Sequence, residues 1–254
     1  MYQTLEISHG VTLRCIQNSR FKQGVLSVQF LRPMDKEEAA LNALIPDVLL
    51  RGCAAAPDLQ QITARLDDLY GASVGALVRR IGDYQTTGLA CGFVEDRFAL
   101  PGDRVLEPMI KFLGQLLLEP VTEKGGFYRE YVSGEKKNLI SALEAQLSDK
   151  QAYASGKLLK NMCRGDSFAV PRLGGITQVR RITAAAAYAH AGRGAGRDGA
   201  RRPGFRQFWI WKVVSAWSRI YLCPCEYSHG CCGTSSALAT WMMPTSALSN
   251  ILTY

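Results

Sequence analysis

Thiol and imidazole side chains are crowded into one short stretch near the end of this 254-residue chain, "CPCEYSHGCC". The candidate ligands in this tail cluster are Cys223, Cys225, His229, Cys231 and Cys232. Thiolates and imidazoles are the usual ligands of zinc, so the stretch could hold a small metal site. However, Cys-x-Cys and adjacent cysteines are not the Cys-x-x-Cys knuckles that hold tetrahedral zinc. We therefore keep the tail cluster as an alternative metal site and expect no cofactor.

A second segment, "LNALIPDVLLRGC" at residues 41–53, has helical apolar spacing and yet carries Pro46 at its centre. A proline inside a helix removes the amide that would bond to the carbonyl of Asn42 and crowds that carbonyl, at a cost of ~3 kcal/mol. A helix that must aim metal ligands accurately would not easily tolerate the resulting kink. A helix that only packs can accept it.

The rest of the first 180 residues alternates between the two-residue period of strands and the three-to-four-residue period of helices. Strands are predicted over 11–15, 26–30, 73–80 and 86–94, and helices over 35–51, 58–71, 103–118, 127–147 and 149–162. Asp35 and Asp58 are candidate helix caps, and Gly82-Asp83 is a hairpin signal. Strands grouped apart from helices predict an α+β fold, an antiparallel sheet with helices packed on one face.

The pattern changes near residue 188, so we predict a folded domain over 1–188 and an atypical tail over 189–254. The stretch "AGRGAGRDGARRPG" is rich in Gly and Arg without apolar periodicity, and all four tryptophans follow it. Most of the net charge of +8 also belongs to this end, where only Asp198 and Glu226 are acidic beyond residue 182. A GC-rich gene read out of frame would give such a composition, so we interpret the tail as frame-altered or disordered. Basic residues beside tryptophans are also found in single-strand nucleic-acid binders, but we expect no nucleic-acid partner.

The sequence also bears on location. The first ten residues have neither a basic start nor an apolar run before a cleavage site, and no apolar stretch reaches the ~20 residues that span a bilayer. We therefore expect a cytoplasmic protein without a membrane span. Its cysteines are then expected to be reduced.

Three segments together resemble a known family: the helix ending in Arg51-Gly52, the "LDDLYGA" turn at 66–72 and the "EKKNLI" helix at 135–140. Over roughly residues 3–188 the chain is similar to the first domain of an insulinase/pitrilysin-type metallopeptidase. It most resembles the bacterial, non-catalytic branch associated with 5-aminopentanol modification of elongation factor P (EF-P). The resemblance implies the LuxS/mitochondrial-processing-peptidase-like metallohydrolase fold.

Active members of that family carry an inverted zinc motif, His-x-x-Glu-His, on the helix at residues 41–53. Anchored at Arg51-Gly52, the resemblance places the two histidines at Ala43 and Asp47 and the glutamate at Pro46, so none of the three is retained. It places the third ligand, a glutamate, near Ser133, whereas a slip of two residues would offer Glu135.

The resemblance therefore implies a non-catalytic binding or scaffold subunit. Its partner would be an active insulinase-like peptidase subunit or a second copy, acting on a peptide or protein substrate. Three alternatives remain open: a metallopeptidase with a displaced zinc site, a truncated and frame-altered product without independent function, and an ordinary kinked core helix unrelated to zinc peptidases.

Overall fold

The structure, a computed structural model, describes residues 2–8, 11–18, 20–146, 148–194 and 207–214. Its main layer is a six-stranded sheet with strand order β1-β2-β8-β3-β5-β4, and a two-stranded ribbon pairs β6 with β7. The strands are β1 Tyr2–Ser8, β2 Val11–Gln17, β3 Gln23–Pro33, β4 Ser73–Ile81, β5 Tyr84–Val94, β6 Thr122–Glu123, β7 Gly126–Phe127 and β8 Gln207–Val214. Neighbours in the sheet are antiparallel except β2 and β8, which run parallel.

Seven helices in the described residues follow or interrupt these strands. They are α1 Ala39–Leu49, α2 Leu59–Asp68, α3 Leu106–Leu118, α4 Arg129–Ala145, α5 Lys150–Met162, α6 Ile176–Arg181 and α7 Ala184–Gly194. Both α1 and α3 pack on β5. The α+β prediction, an antiparallel sheet with a helical layer, is confirmed.

Local signals explain where several elements begin. The Asp58 carboxylate accepts a hydrogen bond from the Gln61 amide at the start of α2, and Asp149 caps α5 by the same type of contact. Gly82 has a φ of 56°, which suits the tight turn between β4 and β5. The prediction for Asp35 was wrong in position, because its carboxylate binds the amides of Glu37 and Glu38, one turn before α1 begins.

The core consists of two hydrophobic clusters that share the helical layer. One lies between the sheet and α3, and the other joins α1, α4, α6 and α7. Side chains at odd-numbered positions of β5 contact both the first cluster and helix α1. Leu89 and Phe93 lie in the first cluster, while the buried Gln85 accepts a hydrogen bond from Asn42 of α1. Strand β5 therefore contacts both the first cluster and α1, which also packs on β4 and α4.

Helix α7 crosses the domain boundary that we predicted at residue 188. Its Tyr188 ring lies edge-on to Phe127 at 5.3 Å between centroids, and His190 is fully buried. The boundary thus falls inside a packed helix. Residues 207–214 form β8, between β2 and β3. Residues 195–206 and 215–254 lie outside the described part, and a frame-altered tail stays a prediction.

Among the described residues, no helix combines the length and the apolar character needed to cross a bilayer.

Candidate functional site

Helix α1 carries the three positions at which the family resemblance places the zinc motif. Ala43 and Pro46 are buried, whereas Asp47 is half-buried. The helix continues through the proline, since the Leu50 amide donates to the Pro46 carbonyl at 3.2 Å. Two of the three motif positions therefore contribute apolar packing, and only Asp47 offers an oxygen.

Helix α4 decides between the two positions proposed for the third ligand. Ser133 is exposed, whereas Glu135 is buried and lies close to α1. Residues two apart on a helix point to nearly opposite sides, so the two side chains cannot both face α1. The structure brings Glu135 to the motif helix and leaves Ser133 outside.

Glu135 is held by two side chains. Its Oε1 accepts a short hydrogen bond from Nε of Arg51, with which it forms a salt bridge, and its Oε2 accepts from Nδ2 of Asn138 at 3.1 Å. The Glu135 side chain is only 11% exposed, so this charge is paired in a partly dry environment. A guanidinium can bind a carboxylate strongly in such a place. The positive charge that neutralises Glu135 is therefore supplied by the Arg51 side chain.

This arrangement disfavours the ionised form of the Asp47 carboxyl group. Burial raises the pKa of Asp47 from 3.8 to about 6, and the nearby negative charge of Glu135 acts in the same direction. Asp47 is thus partly protonated not far below neutral pH.

The pKa of Asp47 leads to a stability prediction. Between pH 3.8 and about 6, Asp47 keeps its proton in the folded chain but has lost it in the unfolded chain. The free energy of unfolding therefore falls as the pH rises through that window. We expect Asp47→Asn to raise the free energy of unfolding by about 1–2 kcal/mol above pH 7, reduced from the ~3 kcal/mol of the full shift because the side chain is half-exposed. Urea denaturation at several pH values measures the difference.

The matched control for Asp47→Asn is Asp67→Asn, on the exposed surface of α2. We expect the control to change stability by less than about 0.5 kcal/mol at every pH. The gain from Asp47→Asn should vanish below about pH 4. A gain that is the same at pH 4 and pH 8 would contradict the raised pKa.

These donors do not fit a catalytic zinc ion. Such a site needs three protein ligands, and here there are only two carboxylates, Asp47 and Glu135, of which Glu135 is already paired with the Arg51 guanidinium, a group that would repel a cation. Within the described ranges, no group of three or more His, Cys, Asp or Glu side chains could hold a metal ion. His190, the one histidine described, binds Asn42 at 2.7 Å. The tail cluster lies outside the described residues.

Two of the four described free thiols, Cys53 and Cys91, are poorly suited to nucleophilic chemistry. Cys53 and Cys91 are buried, and burial raises the pKa of the Cys91 thiol to about 12. A thiol with such a pKa stays protonated and is a poor nucleophile near neutral pH. The side chains at this site can contribute hydrophobic packing and ion pairs.

Sequence reasoning missed the role of Arg51. We interpreted Arg51-Gly52 only as a helix ending, whereas the Arg51 side chain, two residues beyond the end of α1, forms an ion pair with Glu135 of α4. Its partner Glu135 lies 84 residues further on. A basic residue one turn after a motif position, with an acidic residue on a later helix, was the available signal.

Comparisons with known proteins place this geometry in context. No protein-family model matches the chain. A sequence relative from Bacillus subtilis (strain 168), named probable inactive metalloprotease YmfF, is 30% identical over 179 residues, which cover 70% of this chain and 42% of the relative. The chain therefore spans less than half the length of the curated relative it matches.

Solved structures share the fold. A conserved protein from Enterococcus faecalis V583 has a TM-score of 0.75 and 25% identity, over 84% of this chain and 48% of that one. A peptidase M16 inactive domain from Pseudomonas fluorescens has a TM-score of 0.62 and 18% identity, over 84% and 46%. A chain of complex III2 from Candida albicans has a TM-score of 0.55 and 16% identity, over 85% and 43%. The chain is therefore similar in sequence to a protein named as a probable inactive metalloprotease, and it shares its fold with a peptidase M16 inactive domain.

Proposed function

We propose that this chain is a non-catalytic M16-type peptidase homologue that acts by binding, as a scaffold or partner subunit. The observation that carries the proposal is the Arg51–Glu135 ion pair beside Ala43, Pro46 and Asp47. A guanidinium neutralises the carboxylate that faces the motif helix, and no imidazole lies at a motif position. We infer a binding role because the fold is retained, whereas the histidines and the glutamate of the zinc motif are not.

The proposed partner is an active insulinase-like peptidase subunit or a second copy of this chain, which together would hold a peptide. Two observations support a partner. M16-type proteins occur in multi-subunit or paired assemblies, as with the complex III2 chain, and this chain spans less than half of its relatives. A role in EF-P modification and a cytoplasmic location also stay predictions. Loss of the modified form of EF-P on deleting the gene would support the first.

Zinc content tests the proposal. We expect the purified protein to contain far less than one zinc ion per chain and to cleave no member of a mixed peptide library, because two carboxylates, one of them paired with a guanidinium, make a poor zinc site. Elemental analysis after dialysis gives the stoichiometry, and fluorescence-quenched peptides, with and without a chelator, give the activity.

The controls separate the candidate sites. Stoichiometric zinc that is lost in Asp47→Ala or Glu135→Gln would mean that the protein is a metallopeptidase homologue with a displaced site. Zinc that is kept in both variants and lost in Cys223→Ala would assign the metal to the tail cluster. Cleavage that a chelator abolishes would overturn the non-catalytic role.

A further inference from the structure

We propose that residues 166–172 form a strap over the free edge of β4, and that Arg80 is the latch that holds this strap and the neighbouring helix α5 on the sheet. The inference goes beyond the binding role proposed above and does not rest on it. Its starting point is the position of β4, which is the last strand in the order of the six-stranded sheet. Within the described residues β4 pairs only with β5, and proteins commonly cover such a free edge.

The outer edge of β4 presents the backbone groups of every second residue. Ile81 and Tyr84 form the last pair before the two-residue turn, so the odd-numbered residues of β4 direct their amides and carbonyls at β5 and the even-numbered residues direct theirs outward. One of these outward groups is the carbonyl of Val78, which accepts a hydrogen bond from Nη1 of Arg172 at 3.0 Å. The strap therefore reaches the edge of β4 near its turn.

Arg80 of β4 makes several contacts with the strap. Its Nη1 donates to the carbonyls of Phe168 and Val170, both at 2.8 Å, and its Nη2 donates to the carbonyl of Ser167 at 2.7 Å. The guanidinium carbon also lies 4.2 Å from the centroid of the Phe168 ring. The planar fork of an arginine can bind several carbonyls and stack on a ring at the same time. A lysine at this position would keep the charge and lose most of these contacts.

Other contacts of the strap are also polar. The Ser167 hydroxyl donates to Oδ1 of Asp83 at 2.8 Å, and the carbonyl of Arg172 accepts from Nε2 of Gln85 at 2.6 Å. None of residues 166–172 is buried, and Phe168 is 38% exposed. Segments with little buried apolar surface open locally at a low free energy. The attachment of the strap therefore depends on these hydrogen bonds, and above all on those of Arg80.

Helix α5 depends on the strap for its position. All of its residues, Lys150–Met162, are exposed, and none belongs to either hydrophobic cluster. Within the described residues, its main contact is with the strap, at the short turn Ser167–Ala169. Isolated helices of about this length are marginal in water, so α5 has little stability apart from the strap. We expect α5 and the strap to open together, as one local unit, when the Arg80 contacts break.

Amide hydrogen exchange of the purified protein tests the latch. In the wild type we expect the amides of α5 and of the strap to share one opening constant, at least about tenfold larger than that of the β5 amides over 86–93. Arg80→Met should raise this shared constant at least about tenfold further, because hydrogen bonds to a charged group are lost. Arg80→Lys should have most of the same effect. Opening also uncovers the edge of β4, so Arg80→Met should self-associate more than the wild type at high concentration, as measured by sedimentation velocity.

The matched control is Arg79→Met, because Arg79 is the neighbouring residue of β4, is exposed and points to the opposite face of the sheet. It should change the opening constant by less than about twofold. Phe168→Ala removes only the stacked ring and should raise the constant about threefold, which tests the latch even if Arg80→Met does not fold.

Three results would overturn the latch. They are an unchanged opening constant in Arg80→Met, or in Phe168→Ala if the first variant does not fold; wild-type exchange of α5 as slow as that of β5; and an equal effect of Arg79→Met. Self-association of Arg80→Met no greater than that of the wild type would overturn the role of the strap as a cover for the edge of β4.

Discussion

Replacing His190 with alanine is expected to lower the free energy of unfolding by about 3–5 kcal/mol, the range for a buried side chain whose removal also leaves polar partners unpaired. His190 is fully buried, and its Nε2 lies 2.8 Å from Nη1 of Arg32 and 2.7 Å from Oδ1 of Asn42. Arg32 also forms a salt bridge with Glu38 at 3.6 Å. The alanine variant leaves a cavity beside a guanidinium and an amide that are both buried.

The geometry also limits how His190 can bond. Nδ2 of Asn42 donates to Gln85, whose own amide nitrogen donates to the carbonyls of Ala39 and Arg172, so Oδ1 of Asn42 must face the imidazole. Arg32 can only donate. Nε2 of His190 therefore either donates to Asn42 or accepts from Arg32, and it cannot do both at once.

Guanidinium denaturation measures the effect of His190→Ala. The matched control is Ala189→Gln, at the neighbouring exposed position of α7, with an expected change of less than about 0.5 kcal/mol. A loss below about 1 kcal/mol for His190→Ala would show that α7 is not packed as described. It would then favour a folded unit that ends at the predicted boundary, residue 188.

The second large effect is expected at the ion pair beside the degenerate motif. Arg51→Met should lower the free energy of unfolding by about 2–4 kcal/mol at pH 8, because it leaves the buried Glu135 carboxylate unpaired next to Asp47. The loss should shrink in acid, where Asp47 takes up a proton and its repulsion of Glu135 disappears. Denaturation curves at pH 5 and pH 8 measure both expectations.

A double-mutant cycle separates charge from packing at this site. Arg51→Met/Glu135→Gln removes both charges and should recover most of the stability that Arg51→Met loses, since an apolar or neutral pair often replaces a buried ion pair without penalty. A double variant no more stable than Arg51→Met would show that the guanidinium acts through packing instead. Zinc binding by Arg51→Met, absent in the wild type, would show that Arg51 is what keeps a cation away.

The parts of the fold that local patterns encode were predicted well. The alternation over 73–80 and 86–94 with Gly82-Asp83 between them indicated the β4–β5 hairpin, which the structure confirms. Asp58 and Asp149 lie where helices begin, because a side-chain oxygen can satisfy amides only a few residues away. Capping, turns and periodicity act over a few residues, so the sequence shows them directly.

Contacts between distant residues were decided by the tertiary structure. The sequence by itself determined the apolar face of α1, the Pro46 within it and the absence of histidine at Ala43 and Asp47. It left open whether Ser133 or Glu135 faces that helix, and the rotation of α4 decided for Glu135. Likewise, Asn42 meets His190 across 148 residues. The physical reason is that burial, and the pairing of charges within it, depends on how helices pack together, which no local pattern specifies.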